Sequence, residues 1–243
     1  MQYLHEEIKL KNIPISIIPT SELPADAVEF TPSLTGGICS LGALNLVAQG
    51  KSIYFSNNTK GCPGLKSGLG LEDEAKIPGG IEYFLSCGRG PGYPEGEKIK
   101  KTPEIAKAFY DGLPKQVIDT KYILLKPAEV TDAGIAKLVV FLVNPDQLSA
   151  LIHLFCYESS LTDNVYIPMC SGCTSIFKLP FAELKKESPR AVVGLADIWA
   201  RPPFKADQFA FTVQFEDYIK MLENSKDCFF QVRTWDGVKK RLK

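Results

Sequence analysis

The chain has 243 residues, of which 45% are hydrophobic and 23% are charged, a composition typical of a globular protein with one large core or two coupled halves. Its 28 Lys and Arg residues balance its 28 Asp and Glu residues, so the charge does not indicate a nucleic-acid partner. No apolar run is long enough to span a bilayer, and the first residues lack the apolar segment of a signal peptide. We therefore expect a cytoplasmic protein with no membrane partner.

The first half of the chain contains short strands, a helix and a long loop. β-Branched residues bounded by prolines predict a strand over 13–19, at or near a sheet edge. Apolar residues at helical spacing predict a helix from about Cys39 to Gly50, followed by a strand over 51–56. The region from Gly61 to Gly96 holds more than half of the 19 glycines, so we expect a loop there, apart from a short apolar segment.

The second half also mixes strands and helices. Thr102-Pro103 and Asn144-Pro145 each place a capping side chain before a proline, which predicts two helix starts. Strands are predicted over 122–125, 138–143, 191–195 and 208–214, and further helices over 181–187 and 215–222. Because strict βαβ alternation is absent, we predict an α+β fold in a single domain, 1–243.

A short pattern occurs twice along the chain. In the first half, the motif Gly-x-Cys39 is followed by a predicted helix and then a predicted strand. In the second half, Gly-Cys173 is followed by the same two elements in the same order. Two halves, about 1–130 and 131–243, related by a pseudo-dyad would bring both cysteine turns to one crevice; chance is the alternative over so few residues.

Four of the seven cysteines are candidate ligands. Cys39 precedes a predicted helix, where the helix dipole favours a thiolate, although a small buried hydrophobe is the plainer interpretation. Cys62 lies in a Gly-Cys-Pro-Gly loop that is free to face a ligand, and Cys170-x-x-Cys173 is half of a zinc or cluster motif. A site with Cys39, Cys62, Cys173 and Cys170 as ligands suits zinc or an iron–sulfur cluster, and three thiolates would leave an open position. The remaining cysteines, interpreted as packing residues, are Cys87, Cys156 and Cys228.

The glycine-rich loop supports a second hypothesis, a small-molecule or anion-binding module with this loop as its lid. Gly61, Gly64, Lys66 and Ser67 nearly form a phosphate-binding loop, but the glycine that should precede Lys66 is missing. Backbone amides together with Lys66 or Arg89 would hold the anion. An ordinary surface loop is the competing interpretation.

Enzymatic activity stays open at this stage. The chain has two histidines and no nucleophile elbow, so a thiol enzyme that uses Cys39 or Cys62 would lack a visible base. Asp197 and Arg201 follow a predicted strand, and we expect them to form a surface ion pair rather than a site. The sequence does not predict an oligomeric state.

Several short motifs follow one another along the chain. In order, they are Cys39-x-x-x-Ala43, Gly50, Cys62-Pro63-Gly64-Leu65-Lys66-Ser67-Gly68, Asn144-Pro145-Asp146-Gln147 and the Cys173 turn. In these motifs the chain, from about residue 10 to 225, resembles an uncharacterised prokaryotic family, domain of unknown function 169. The resemblance maps three family cysteines onto Cys39, Cys62 and Cys173, and so implies a site there without implying an activity. The Gly-Asp-Arg stretch of the family is spread here over Gly194, Asp197 and Arg201, which departs from the pattern.

Overall fold

The computed structural model describes residues 2–88, 95–115 and 117–242 of the chain. Within these residues, eight strands form one mixed sheet in the order β2-β3-β4-β1-β5-β8-β7-β6. The strands are β1 (Ile15–Thr20), β2 (Val28–Glu29), β3 (Ile53–Ser56), β4 (Tyr122–Pro127), β5 (Leu138–Val143), β6 (Val165–Tyr166), β7 (Ala191–Gly194) and β8 (Phe209–Gln214). The predicted α+β class is confirmed.

The helices of the described residues are mostly short. They are α1 (Gln2–Glu7), α2 (Pro32–Thr35), α3 (Gly42–Val47), α4 (Leu65–Leu69), α5 (Ile81–Phe84), α6 (Pro103–Asp111), α7 (Pro145–Phe155), α8 (Leu179–Glu183), α9 (Phe215–Asn224) and α10 (Arg233–Lys239). A π-helical turn, Thr174–Lys178, runs directly into α8. In the part of the chain that is described, no helix has the length and apolar character needed to cross a membrane.

Both predicted capping patterns start helices. The Thr102 side chain accepts the Ile105 N–H at 3.3 Å at the start of α6. Asn144 and Gln147 form a reciprocal capping box at the start of α7, in which each side chain accepts the backbone N–H of the other. These caps satisfy amides that have no partner within the helix, so local sequence sets both boundaries.

Each face of the sheet carries its own hydrophobic core. All six residues of β5 are buried, as expected for a strand that is covered on both faces. The first core lies beneath α1, α7, α9 and α10, and it receives Val139, Phe141 and Val143 from β5. The second core lies beneath α3, α4 and α8, and it receives Leu138, Val140 and Leu142. The cysteines of interest lie on the face of this second core.

The strand order of the sheet is repeated once. In the first four strands, β1 pairs antiparallel with β4, β4 antiparallel with β3, and β3 parallel with β2. Strands β5, β8, β7 and β6 repeat these three pairings in the same order. The antiparallel pair β1–β5 joins the two sets, as a two-fold axis between them requires. The division of the chain near residue 130 stays a prediction.

This repeat gives the two cysteine turns equivalent positions. Parallel neighbours need a crossover connection, and the β2–β3 crossover contains Cys39 while the β6–β7 crossover contains Cys170 and Cys173. A two-fold axis perpendicular to the sheet keeps both crossovers on one face. Residues of both crossovers accordingly pack in the second core.

Two sequence-based expectations about the fold are wrong. Strand β1 was expected near an edge, but it lies between β4 and β5. Its pairing with β5 ends at Ile17, so Pro19 lies beyond that ladder and removes no hydrogen bond from it. The glycine-rich region is also not a plain loop, because it contains α4 as well as α5. Tertiary packing overrides the low helix propensity of glycine in α4.

A buried carboxylate connects the neighbouring strands β1 and β4. Asp132 is 2% exposed and accepts hydrogen bonds from Ser16 Oγ of β1 and Lys126 Nζ of β4, both at 2.8 Å. The Glu129 N–H donates to the same carboxylate at 3.0 Å. All four groups lie outside the cysteine turns, so this network serves the scaffold.

We predict that Asp132→Ala destabilises the protein by about 1–3 kcal/mol, because the buried Ser16 hydroxyl and the partly buried Lys126 lose their hydrogen-bond acceptor. The exposed Asp207 is the control, and Asp207→Ala should change the free energy of unfolding by less than about 0.5 kcal/mol. Urea unfolding of both variants measures this. A loss below about 1 kcal/mol for Asp132→Ala would show that the network does not support the sheet.

Candidate functional site

The segments that contain Cys39 and Cys62 are joined through their backbones. The Cys62 N–H donates to the Ile38 carbonyl oxygen at 3.0 Å. A Cβ atom on Gly61 would lie 3.3 Å from the same oxygen and 2.4 Å from Leu65 Cδ1, so the close approach requires glycine. The glycine-rich loop is therefore fixed against the turn before α3.

The Cys173 turn packs against both of these segments. Ser40 Oγ lies 3.3 Å from Cys173 Sγ, and both residues are buried. Gly68 of α4 has no space for a side chain, because its Cβ would lie 2.5 Å from Cys173 Cβ. A Cβ on Gly172 would lie 2.5 Å from Leu41 Cδ1 and 2.6 Å from Ala200 Cβ. Close backbone contacts thus hold this turn from two sides.

Cys39, Cys62 and Cys173, which we call the thiol site, come from three separate parts of the chain. Cys173 belongs to the second core, and the partly exposed Cys39 and Cys62 pack against it. A negative charge on Cys62 or Cys39 raises the pKa of Cys173, and a charge on Cys39 raises that of Cys62. The three sulfurs are therefore close enough to interact electrostatically.

Burial controls the protonation of these thiols. Desolvation is the largest effect on all three and raises the pKa of each thiol, most strongly for the fully buried Cys173. Amides at two helix starts act in the opposite direction: those of Leu41 and Gly42 lower the pKa of Cys39. The amides of Gly64 and Leu65 do the same for Cys62. The effect of burial is the larger one, so the three thiols are neutral at physiological pH.

Cys170 lies in the same turn as Cys173, but its pKa is not shifted by the charges of the other three thiols. It is 5% exposed, and burial followed by the charge of Asp197 raises its pKa to about 12. The role of Cys170 as a fourth ligand therefore stays a prediction, and the other three thiols form the interacting set.

Asp197 does not form the ion pair expected from the sequence. Its carboxylate accepts the Gly172 N–H and the Trp199 N–H, both at 3.0 Å, and caps the 3-10 turn Ile198–Ala200. Arg201 donates instead to backbone carbonyls, with Leu195 O at 2.9 Å. The expectation is wrong because local backbone groups satisfy both side chains.

A second carboxyl group, that of Glu97, lies within electrostatic range of Asp197. The segment after Gly96 is fixed to α5, since the Glu97 N–H donates to Phe84 O at 2.7 Å. Gly88 and Gly96 cross too closely for a Cβ on either residue. Burial, followed by the charge of Asp197, raises the pKa of Glu97 to about 7. Glu97 is therefore about half protonated near neutral pH.

Neither Glu97 nor Ser40 was found by sequence reasoning. Glu97 follows a glycine-rich loop and has no motif, and Ser40 is simply the neighbour of Cys39. Cys87, interpreted as a packing residue, is exposed, so that interpretation is wrong.

The described residues contain no preformed metal site. In residues 2–88, 95–115 and 117–242, no group of three or more His, Cys, Asp or Glu side chains has an arrangement that could hold a metal ion. Metal binding through Cys39, Cys62, Cys173 and Cys170 is thus unsupported by the side-chain positions of this structure. Burial also favours neutral thiols over the thiolates that bind metals.

The predicted anion contacts are mostly occupied by protein groups. Lys66 Nζ lies 3.4 Å from a Glu72 carboxylate oxygen. The Ser67 hydroxyl donates to Gly64 O at 3.3 Å, and Gly61 packs against Leu65. Gly64 itself borders open space. Arg89 lies outside the described residues.

An open groove of about 580 Å³ lies between the 74–82 segment and α6. Most of its charged lining residues pair with protein groups, as in Lys107–Asp111 at 2.7 Å and Lys115–Glu74 at 3.1 Å. No cysteine lines it. The groove therefore offers few free polar groups to a ligand.

One comparison with known proteins gives a match. The model of a family described as "Uncharacterised ArCR", the domain of unknown function 169, matches residues 3–224. No curated protein and no solved structure matches the chain.

We predict that Gly68→Ala destabilises the protein by about 1–2 kcal/mol. The added methyl group collides with Cys173 Cβ, and overpacking of about 1–3 kcal/mol exceeds the helix-propensity gain of at most about 1 kcal/mol. Gly64→Ala is the control, because its Cβ meets open space at a backbone φ of −86°. Chemical unfolding compares the two variants. Equal stability of both would contradict the tight packing of α4 on the Cys173 turn.

We predict that Glu97→Gln stabilises the protein more at pH 8 than at pH 4.5. The folded carboxyl has a pKa of about 7 against an ordinary value of 4.5, so folding becomes less favourable as pH rises between these values. Glu97→Gln does not lose stability in this way, so above pH 7 its free energy of unfolding should exceed that of wild type by on the order of 1–2 kcal/mol. Thermal unfolding at both pH values tests this, with the exposed Glu95→Gln as control. An advantage that does not change with pH would contradict it.

Proposed function

The chain belongs to the uncharacterised ArCR family, domain of unknown function 169, and we propose that it binds a soft, positively charged ligand at Cys39, Cys62 and Cys173. The ligand class is a thiophilic metal ion such as Zn²⁺ or an iron–sulfur cluster, both of which are bound by thiolates. The supporting observation is the electrostatic interaction of three thiols from three parts of the chain.

The direction of the pKa shifts separates a ligand role from a nucleophilic role. A nucleophilic cysteine needs a lowered pKa, whereas burial raises the pKa of each of these thiols. A bound cation removes this obstacle, because a coordinating thiol loses its proton outright. Ligation would also relieve the repulsion among three thiolates. These properties favour a binding site over a thiol enzyme.

Backbone amides supply a second argument. Amides at the start of α3 are directed at Cys39, and amides at the start of α4 are directed at Cys62. Hydrogen bonds to thiolate sulfur stabilise its charge, and they tune the potential of a cluster. Three protein thiolates leave one coordination position for water or a substrate.

The sulfurs have to reorient when the ligand binds, because the described residues hold no ready-made ligand group. Cys39 and Cys62 are only partly buried and lie in turns, where a change of side-chain rotamer is least restricted. Cys173 has less freedom, since Gly68 and Ser40 both lie against it. We therefore assign Cys173 as the fixed ligand and the other two as the adjusting ones.

The alternative, an anion-binding module, has less support. Lys66 is already paired with Glu72, and the carboxylate whose charge acts on Cys39 and Cys173 is Asp197. This group adds negative charge, which favours a cation.

We predict that protein purified without oxygen, or reconstituted anaerobically with Fe²⁺ and sulfide or with Zn²⁺, carries stoichiometric metal. Visible absorbance with iron and sulfide identifies a cluster, and zinc without colour identifies a mononuclear site. Cys173→Ser should lower the bound metal at least tenfold. Metal analysis and the absorption spectrum of the same sample provide the measurement.

Cys170→Ser is the matched control, because both residues are buried in the same turn and only Cys173 interacts with the other two thiols. Cys87→Ser, at an exposed position, controls for the loss of any thiol. Both controls should keep their metal. Wild-type protein that takes up none of these metals under reconstitution would refute the proposal.

A further inference from the structure

Asp197 connects the Cys170–Cys173 turn to the 3-10 turn Ile198–Ala200, which lies after β7. One carboxylate oxygen accepts the Gly172 N–H, and the other accepts the Trp199 N–H. Asp197 therefore joins the amide next to Cys173 to the start of the 3-10 turn. The bonds are charge-assisted, which makes them stronger than neutral hydrogen bonds.

The surroundings of Gly172 leave this connection little freedom. Leu41, two residues after Cys39, and Ala200 of the 3-10 turn both lie within 2.6 Å of where a Gly172 Cβ would be. The three chain segments thus meet at one point. A shift of Asp197 would move the Cys173 turn relative to the Cys39 turn.

The negative charge of Asp197 has no compensating cation among the described residues. Arg201, four positions later, donates to the carbonyls of Leu195, Lys205 and Ala206 rather than to the carboxylate. The carboxylate accepts the N–H of Gly172, the residue directly before Cys173, at 3.0 Å, so its charge lies beside the Cys173 turn. A cation at the thiol site would be attracted by this charge.

We propose that Asp197 is a positioning residue of the thiol site, which holds the Cys173 turn against the Cys39 turn and supplies a fixed negative charge beside the bound ligand. This inference rests on the proposed function. It adds a carboxylate outside the thiols themselves, in the way that second-layer groups orient the ligands of a metal.

The test compares Asp197→Asn and Asp197→Ala with wild type by two readouts. The first is the affinity for Zn²⁺ alone, measured by competition with a chromogenic chelator. The second, in metal-free folded protein, is the rate at which a small thiol reagent modifies Cys173, identified by mass spectrometry. Ile198→Ala is the control, since Ile198 lies in the same 3-10 turn and is 64% exposed.

We expect Zn²⁺ to bind about 10- to 100-fold more weakly to Asp197→Asn, which loses the charge and one acceptor, and more weakly still to Asp197→Ala. Modification of Cys173 should become at least tenfold faster in Asp197→Ala, because the turn is released. Ile198→Ala should match wild type in both. Asp197→Asn keeps one of the two hydrogen bonds, so it serves as the folded variant if alanine unfolds the turn.

The two proposals fail in different ways. Wild-type protein that binds no metal refutes the proposed function, and the modification rates then decide the role of Asp197. Affinity and Cys173 protection equal to those of wild type in both Asp197 variants would overturn the positioning role. If both variants bind Zn²⁺ more weakly but Cys173 is modified at the wild-type rate, Asp197 does not hold the Cys173 turn in place. The positioning role would then be overturned, and only the effect of the negative charge of Asp197 would remain.

Discussion

The arrangement of the site depends on the absence of side chains at Gly68 and Gly172. At both glycines an added Cβ would come within 2.6 Å of a neighbouring atom. The Cys173 turn therefore packs against α4 on one side and against the turn before α3 on the other, with no room for a methyl group at either contact. This close packing places one thiol from each of three segments within electrostatic reach of the others. The sheet supplies the framework, since its repeated strand order puts the two cysteine crossovers on one face.

Burial of three thiols has a cost that decides what the site can do. Without a cation, desolvation keeps the thiols protonated, and the amides at two helix starts do not reverse this. Such thiols are poor nucleophiles but become strong ligands once a soft cation displaces their protons. Asp197 adds a further negative charge that acts on Cys39 and Cys173. The charges of the site therefore favour a cationic ligand, and its affinity should increase with pH.

Much of the scaffold could be predicted from local sequence signals. Strand β5 is a continuous apolar run, and α6 and α7 begin with side chains that cap their first amides, so each boundary has a nearby cause. The central position of β1 could not be predicted, because prolines usually mark an edge and only the short β1–β5 ladder accommodates Pro19. Likewise α4 is stabilised by packing against Cys173, which lies over a hundred residues away in the chain.

The site was only partly predictable for the same reason. Cys39, Cys62 and Cys173 were recognisable from their turns and glycines, but their proximity is a property of the fold. Cys170 shares a motif with Cys173, yet only the structure separates the two. Glu97 gave no usable signal, because its raised pKa depends on burial and on Asp197, which is distant in sequence. Asp197 stood out at the end of a predicted strand but was interpreted as half of an ion pair, because its bond to Gly172 is also distant in sequence.

X-ray absorption at the zinc edge of the reconstituted protein tests the central claim most directly, since it counts the atoms around the metal. The account predicts three sulfur neighbours at about 2.3 Å and one lighter atom, with one sulfur fewer in Cys173→Ser and no change in Cys170→Ser. A first shell of nitrogen and oxygen alone, or a sulfur count that Cys173→Ser leaves unchanged, would contradict it.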